Sequence, residues 1–313
     1  MNYLFFYSTD PKKIVRDYSR LEVKGEIVFV HDIFTAYYFA KYSRGYESKQ
    51  KILLVLHNNG ETWNMINIYY PKLLKSVFKF IFNKIENDAI DAATKVGLVS
   101  KACKDKFDET HPLYSHKSFF VYNGIQDLSN TLTEKSDSYK YCLCCIGTLS
   151  DRKGQLRLIQ AFTELPSHIM KDIRITLVGD GVIRPEIEKI IKENKLERQV
   201  EIYIGRKDVD TFLRSSNIYI LPSNDEGLPI SIIEAMRASL GVISTNIAGI
   251  PELVEDNKNG LLITPEVSSI KDALMSLSMY DWEEYGRHSR AKYEEQFTIK
   301  AMIDNYSSII MSL

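Results

Sequence analysis

Short apolar runs separated by longer amphipathic segments recur along this chain, and that alternation limits its fold more than any other feature. The runs are Ile27 to Val30, Lys51 to Leu56, Val96 to Val99, Phe119 to Val121, Tyr141 to Ile146, Ile173 to Val178, Val200 to Ile204, Ile218 to Leu221 and Val242 to Thr245. Runs this short and this rich in β-branched residues read as strands covered on both faces, and the stretches between them are long enough for crossover helices. Such a β/α series builds parallel sheets that bind ligands at the carboxyl ends of their strands. One polar run, Gln126 to Tyr139, interrupts the series and reads as a linker. It divides the 313 residues into a first domain, 1–128, and a second, 129–313.

Composition narrows the function classes. Residues 1–128 carry 18 Lys+Arg against 14 Asp+Glu, and the remainder 22 against 27. The first half is thus mildly basic, which suits an anionic surface, but the charge density is too low for a nucleic-acid binder and no such motif is present. No stretch approaches ~18 consecutive apolar residues and the N-terminus lacks the order of a signal peptide, so the cytoplasm is the expected compartment. Cys142, Cys144 and Cys145 share one strand-like run, where spacings of two and one do not make a metal site and buried thiols are expected. No Gly-x-Gly-x-x-Gly follows the first strand, which argues against a nicotinamide enzyme.

The segment Ser223 to Met236 carries the chemistry. Pro222 stops the strand-like run Ile218 to Leu221, a turn follows, and Pro229 suits the first position of a helix. The amides of Gly227, Leu228, Ile230 and Ser231 then lack intrahelical acceptors, and the helix dipole adds positive charge there. That is an anion site, most naturally for phosphate. Glu226 lies at the helix mouth and Glu234 about five residues into the helix, so at ~1.5 Å per residue their carboxylates stand roughly 8–10 Å apart. Two acids that bracket a phosphate site suit the two ends of a nucleotide sugar. Two carboxylates alone also fit a glycoside hydrolase, but a phosphate-type helix start does not.

The Glu226 to Glu234 segment resembles the Glu-x7-Glu signature of retaining glycosyltransferases of family 4, which have the GT-B architecture. Cys145 to Gly154 is similar to that family's Gly-Arg-Leu…Lys-Gly phosphate loop, with matches at Gly147, Lys153 and Gly154. Leu177-Val178-Gly179-Asp180-Gly181, Tyr203-Ile204-Gly205, Ala248-Gly249-Ile250-Pro251-Glu252 and Asn259-Gly260-Leu261-Leu262 follow in the family's order. The resemblance covers nearly the whole second half. It implies an α/β chain of GT-B type, two Rossmann-like parallel-sheet domains facing a central cleft, with the terminal helices, Trp282 to Leu313, crossing back to the first domain. The first domain is shorter than usual in that family, because only about 25 residues precede the His31 segment.

The resemblance also implies roles. Lys153 grips the donor diphosphate, Glu226 sits beside the donor sugar and Glu234 binds the ribose. Thr148 stands where the family usually has a second cation, a departure that implies either that Arg152 substitutes or that the phosphate is held more weakly. Gly179, Gly205 and its neighbour Arg206 fall in the nucleotide-binding set. In the first domain His31 matches a segment that contacts the donor hexose, and His57 with Asn58 an acceptor-facing loop. Asn123-Gly124-Ile125 matches the turn that ends the first domain.

The expected activity is transfer of a hexose from a UDP- or GDP-sugar to a hydroxyl of a glycan or lipid-linked saccharide in cell-surface polysaccharide synthesis. No cofactor and no metal are expected. A nucleotide-sugar epimerase of the same architecture, or a donor-binding subunit that relies on a protein partner, are the alternatives. Residues 71–84 carry Lys72, Lys75, Lys79 and Lys84 among apolar and aromatic residues. They read either as a helix lying in a membrane interface, which would make the protein peripheral on the inner face of the plasma membrane, or as a core-packed helix with a lysine-rich outer face.

Overall fold

The computed structural model describes residues 27–43, 50–58, 75–128 and 139–313. The chain divides into two compact units, one of Met1–Tyr122 with Asp304–Leu313 and one of Asn123–Ile303. Each is an α/β layer structure around its own parallel sheet.

In the first unit the strands are β1 (Ile27–Val30), β2 (Lys51–Leu56), β3 (Lys95–Leu98) and β4 (Ser118–Phe120), joined in that order with every pair parallel. Leu53, Leu54 and Val55 are wholly buried, as expected of a strand covered on both faces. Helices Ile33–Ser43 and Lys75–Ala92 pack together, and Phe34 meets Phe82 edge-on at 6.0 Å between ring centroids. Asp32 starts the first of these helices, its Oδ1 accepting the Thr35 N–H at 2.7 Å. The chain's last residues belong to this unit: Tyr306 sets its ring edge-on to Phe29 (5.8 Å) and Phe119 (6.2 Å), and the Lys51 ammonium reaches the Leu313 carbonyl.

The second unit holds β5 (Tyr141–Ile146), β6 (Ile173–Val178), β7 (Val200–Tyr203), β8 (Ile218–Leu221), β9 (Gly241–Thr245) and β10 (Gly260–Ile263), in the spatial order β10-β9-β8-β5-β6-β7. All are parallel. From β5 the chain builds outward through β6 and β7, then returns to β8 on the other side of β5. The switch point therefore lies between β5 and β8, where an open α/β sheet leaves a crevice at its carboxyl edge. Strand β10 was absent from the apolar series because Asn259-Gly260 at its start reads as a turn.

The final helical stretch is broken rather than continuous, into Trp282–Gln296 and Ile299–Met311. At the break the Phe297 carbonyl accepts the Ile125 N–H at 3.0 Å and Ile125 accepts the Ile299 N–H at 3.1 Å, so a neighbouring strand-like segment takes hydrogen bonds that a continuous helix would use internally. Arg290 adds two hydrogen bonds to Asp127, at 2.8 and 2.5 Å, and Tyr293 a third anchor through its hydroxyl to the Ile125 carbonyl at 3.1 Å. The sequence-based linker falls mostly on residues 129–138, outside the described residues. No helix among those described is long and apolar enough to cross a membrane.

Leu143 is wholly buried at the centre of the second sheet. Leu143→Ala is expected to lower stability by about 2–5 kcal/mol, seen as a lower urea midpoint for the second unit with an unchanged slope.

Candidate active site

The turns that leave β5 and β8 meet at the switch point. After β5 the chain passes Gly147 and enters a short 3-10 turn, Asp151–Lys153, closed by Gly154 at φ 78°, ψ 11°. A methyl group on Gly154 would stand 2.1 Å from the Pro222 carbonyl oxygen. Only glycine allows both that left-handed conformation and that approach. The turn is thereby pressed onto the end of β8, and Asn224 N–H donates to the Arg152 carbonyl at 2.9 Å.

This contact sets three side chains around one carboxylate. Glu226 is only 7% exposed. Its Oε1 accepts from Lys153 Nζ at 2.6 Å and from the Ser223 hydroxyl at 2.7 Å, while Arg152 Nη1 lies 3.4 Å from Oε2. The same Arg152 nitrogen donates to the Asp225 carbonyl at 2.7 Å. A carboxylate taken out of water needs partners of this kind, and here two cations and a hydroxyl supply them. Ser223 is itself held from β9, since Thr245 Oγ1 donates to its carbonyl at 2.7 Å. Cys145, fully buried on β5, feels both charges. Burial drives its thiol up to about 12, with Lys153 pulling down and Glu226 pushing up, so it is an inert neutral group.

The helix beyond Glu226 spans Ile230–Arg237. It begins one residue later than the sequence suggested, because Pro229 has an extended ψ of 115° and acts as the cap. The Pro229 carbonyl accepts the N–H groups of Ile232 (3.1 Å) and Ile233 (3.5 Å). The amides of Gly227, Leu228, Ile230 and Ser231 make no hydrogen bond to another described residue. The helix mouth thus offers free donors and positive partial charge directly beside Lys153 and Arg152.

Glu234 stands apart from that network. It is half-buried on the same helix, and burial pushes its carboxyl up, with Arg237 pulling down and Asp210 adding to the rise. Arg237 itself pairs with Asp210 and donates to the Gln126 carbonyl at 2.8 Å, which ties down the far end of the helix.

The carboxyl ends of β5, β6 and β7 are stitched together. Gly147 N–H donates to the Val178 carbonyl at 3.0 Å and Gly179 N–H to the Tyr203 carbonyl at 2.9 Å. A methyl on Gly179 (φ 153°) would fall 2.0 Å from the Gly147 carbonyl oxygen, so this crossing too requires glycine. Thr148 is exposed, and the wholly buried Gln155 donates to its carbonyl at 3.1 Å. Gly205 has φ 67° and open space above it. Next to it the Arg206 guanidinium pairs with Asp208 and lies 5.1 Å from the Phe212 ring centroid.

In the first unit His31 and His57 follow the adjacent strands β1 and β2. Their rings stack at 5.2 Å, and His31 Nδ1 and His57 Nε2 are 2.9 Å apart. One ring must donate and the other accept, so the two cannot both be protonated in this arrangement. His57 keeps an exposed edge while protein surrounds most of the ring. Burial, then repulsion from His31, lowers it to about 4; burial also lowers His31, against the pull of Asp32. Asn58 is buried beside them, and Asn59 and Gly60 lie outside the described residues.

The model of the family glycosyl transferases group 1 matches residues 132–295, just over half of the chain. The chain belongs to that family. An uncharacterized glycosyltransferase of Methanocaldococcus jannaschii is 30% identical over 171 residues, 54% of this chain and 44% of the relative. The putative colanic acid biosynthesis glycosyltransferase WcaL of Escherichia coli is 27% identical over 180 residues, again 54% and 44%. The chain spans about half the length of the curated relatives it matches. A crystal structure of Anabaena HepE in complex with UDP-glucose superposes with a TM-score of 0.77 at 19% identity, covering 97% of this chain and 82% of that one. The two α/β units are thus those of the GT-B fold.

Within the family region the structure gathers Gly147, Thr148, Arg152, Lys153, Glu226, Gly227, Leu228 and Ile230 around the β5–β8 switch point. It leaves Arg206 paired with Asp208, and Glu234 apart, influenced through the charges of Arg237 and Asp210. Sequence reasoning missed Ser223 and Thr245, both wholly buried. The signal for Ser223 was a hydroxyl three residues ahead of a carboxylate in a turn; nothing local marks Thr245, which arrives from another strand.

Because folding depresses the His57 pKa from 6.5 to about 4, the folded first unit binds fewer protons than the unfolded chain between those values. Its stability is therefore full above pH ~6.5 and declines as pH falls towards 4. NMR titration of the imidazoles is expected to show one histidine with a midpoint near 4, and His57→Ala to remove it and flatten the acid-side loss of stability.

Proposed function

We propose that this chain is a retaining glycosyltransferase that moves a hexose from a UDP-sugar to a hydroxyl of a glycan or a lipid-linked saccharide. The observation that carries the reading is the cluster of Lys153 and Arg152 on Glu226 beside free helix amides. The nucleotide diphosphate binds the amides of Gly227, Leu228, Ile230 and Ser231 and takes the two cations as partners. As the bond between the sugar C1 and the diphosphate breaks, charge builds on the departing oxygen, and Lys153 stabilises it. The acceptor oxygen bonds to C1 on the face the leaving group vacates, and its proton passes to the departing phosphate oxygen, so the configuration at C1 is kept. Glu226, its two cations now shared with the diphosphate, accepts hydrogen bonds from the sugar hydroxyls. Glu234 takes the ribose, where a half-buried carboxylate gains the donors it lacks.

UDP is the favoured nucleotide because HepE, which shares the fold, holds UDP-glucose in its crystal structure. The colanic acid relative points to cell-surface glycan as the acceptor class. The assignment of His31 to the donor hexose, and of His57 and Asn58 to the acceptor, rests on the family resemblance. No step calls on a metal or a cofactor.

A thermal-shift panel of UDP, GDP and their sugars tests the nucleotide. A bound ligand at ~100 times its dissociation constant adds roughly 2.7 kcal/mol to stability, and a flat response to every nucleotide overturns the reading. With a responsive sugar donor, Lys153→Ala and Glu226→Gln are each expected to lower turnover about 100-fold or more. The proton NMR coupling of the product's anomeric hydrogen should match that of the donor; inversion refutes retention, and a changed sugar without acceptor marks an epimerase.

A further inference from the structure

Helix Lys75–Ala92 presents two unlike faces. Its inner face, with Phe82, Glu86, Ala89 and Ile90, is buried in the first unit. Phe82 meets Phe34, and the Glu86 carboxylate faces inward, with His111 Nε2 at 3.7 Å from Oε2. The helix is therefore core-packed, as one of the two sequence readings required.

The outer face is not the usual solvated one. Val77, Phe80 and Ile81 are 55%, 75% and 47% exposed, and Lys84 completes the same stripe at helical spacings of three, four and seven. Exposed Lys79 flanks it, and residues 75–84 carry Lys75, Lys79 and Lys84 with no acid at all. Asp88 and Asp91 appear only in the last turns, near Tyr114, whose hydroxyl is pushed up by burial first and then by these two carboxylates. Lys117 closes that end on the carbonyls of Ile90 (3.2 Å) and Asp91 (2.8 Å). Apolar and basic character is thus confined to the first turns, and acidic character to the end that the unit already occupies.

We infer that the first turns of this helix dock on an anionic lipid surface, with Val77, Phe80 and Ile81 entering the headgroup boundary and Lys79 and Lys84 meeting lipid phosphates. The stripe from Val77 to Lys84 runs ~10 Å along the helix axis, short enough for its three apolar side chains to enter the interface together. The polarity gradient tilts the helix, its N-terminal turns down and the Asp88–Asp91 end raised away from like charge. A second copy is the poorer occupant, because a two-fold contact would bring lysines against lysines. The inference deepens the proposed function, on whose lipid-linked acceptor it rests for its purpose, but its test needs no turnover.

The test is flotation of the whole chain with vesicles of phosphatidylcholine and phosphatidylglycerol, against phosphatidylcholine alone. Binding is expected only to the anionic vesicles and should fall about 10-fold or more between low and high salt. The double variants Phe80→Ser/Ile81→Ser and Lys79→Glu/Lys84→Glu should each lower the bound fraction about 10-fold, with unchanged circular-dichroism melting. Wild-type chain that ignores anionic vesicles, or variants that bind as well as wild type, overturns the inference. So does self-association in sedimentation that the Phe80→Ser/Ile81→Ser variant abolishes, since the face would then belong to a second copy. Vesicle binding without any nucleotide response would leave the lipid surface standing and remove the transferase reading; the converse would do the opposite.

Discussion

A buried carboxylate with two cations is the interaction on which the candidate site depends. Glu226 comes at the end of a central strand's loop, where an unpaired charge would be severely penalised. Lys153 and the Ser223 hydroxyl meet one oxygen and Arg152 approaches the other. Removing one partner from such a pair typically leaves about 3–5 kcal/mol of uncompensated burial, so the three groups stand or fall together. Fold stability and ligand chemistry share the same atoms here. Under the proposed function, a diphosphate arriving at the helix mouth would meet cations that the fold has already gathered, Lys153 largely buried and Arg152 about half exposed.

That gathering is done mainly by backbone. The Gly154 turn presses on Pro222, and the Gly179 turn crosses Gly147, at approaches that no side chain would permit. The Thr245 hydroxyl and the Gly249 amide then fix the Ser223–Gly227 loop from the far side, at 2.7 and 2.9 Å. The loops that follow the four neighbouring strands β9, β8, β5 and β6 are therefore locked to one another before any ligand is present. This preorganisation is what electrostatic stabilisation of a leaving group requires, because dipoles already in place need not reorganise when charge develops. The helix is tied at its other end by Arg237 to Asp210 and Gln126, which keeps its open amides aimed at one point.

Much of the fold was legible in the chain. Five of the nine apolar runs coincide with strands residue for residue, and the others shift by a residue or so at their ends, where hydrogen bonding rather than hydrophobicity decides the boundary. Strand β10 was hidden because its apolar residues follow Asn-Gly, and the break after Gln296 because no glycine or proline marks it. Ile125 bonds across that break from more than 170 residues away in sequence, and the local trace is Thr298, whose hydroxyl caps the second helix by accepting the Ala301 N–H at 3.1 Å.

The site shows the same division. Sequence alone determined the parallel α/β class, the loop and helix around Glu226, and the cation-bearing turn at Arg152 and Lys153, because each depends on residues close together in the chain. Only the tertiary structure decided that Lys153 and Glu226, 73 residues apart, share a hydrogen bond, that Ser223 and Thr245 brace the pair, and that Glu234 answers to Arg237 and Asp210 instead. It also decided which face of the Lys75–Ala92 helix remains outside. The reason is physical: periodicity and turn chemistry are local, whereas the partner of a buried charge is set by strand order, and β5 lies against β8 only because the chain reverses its direction of sheet growth between them.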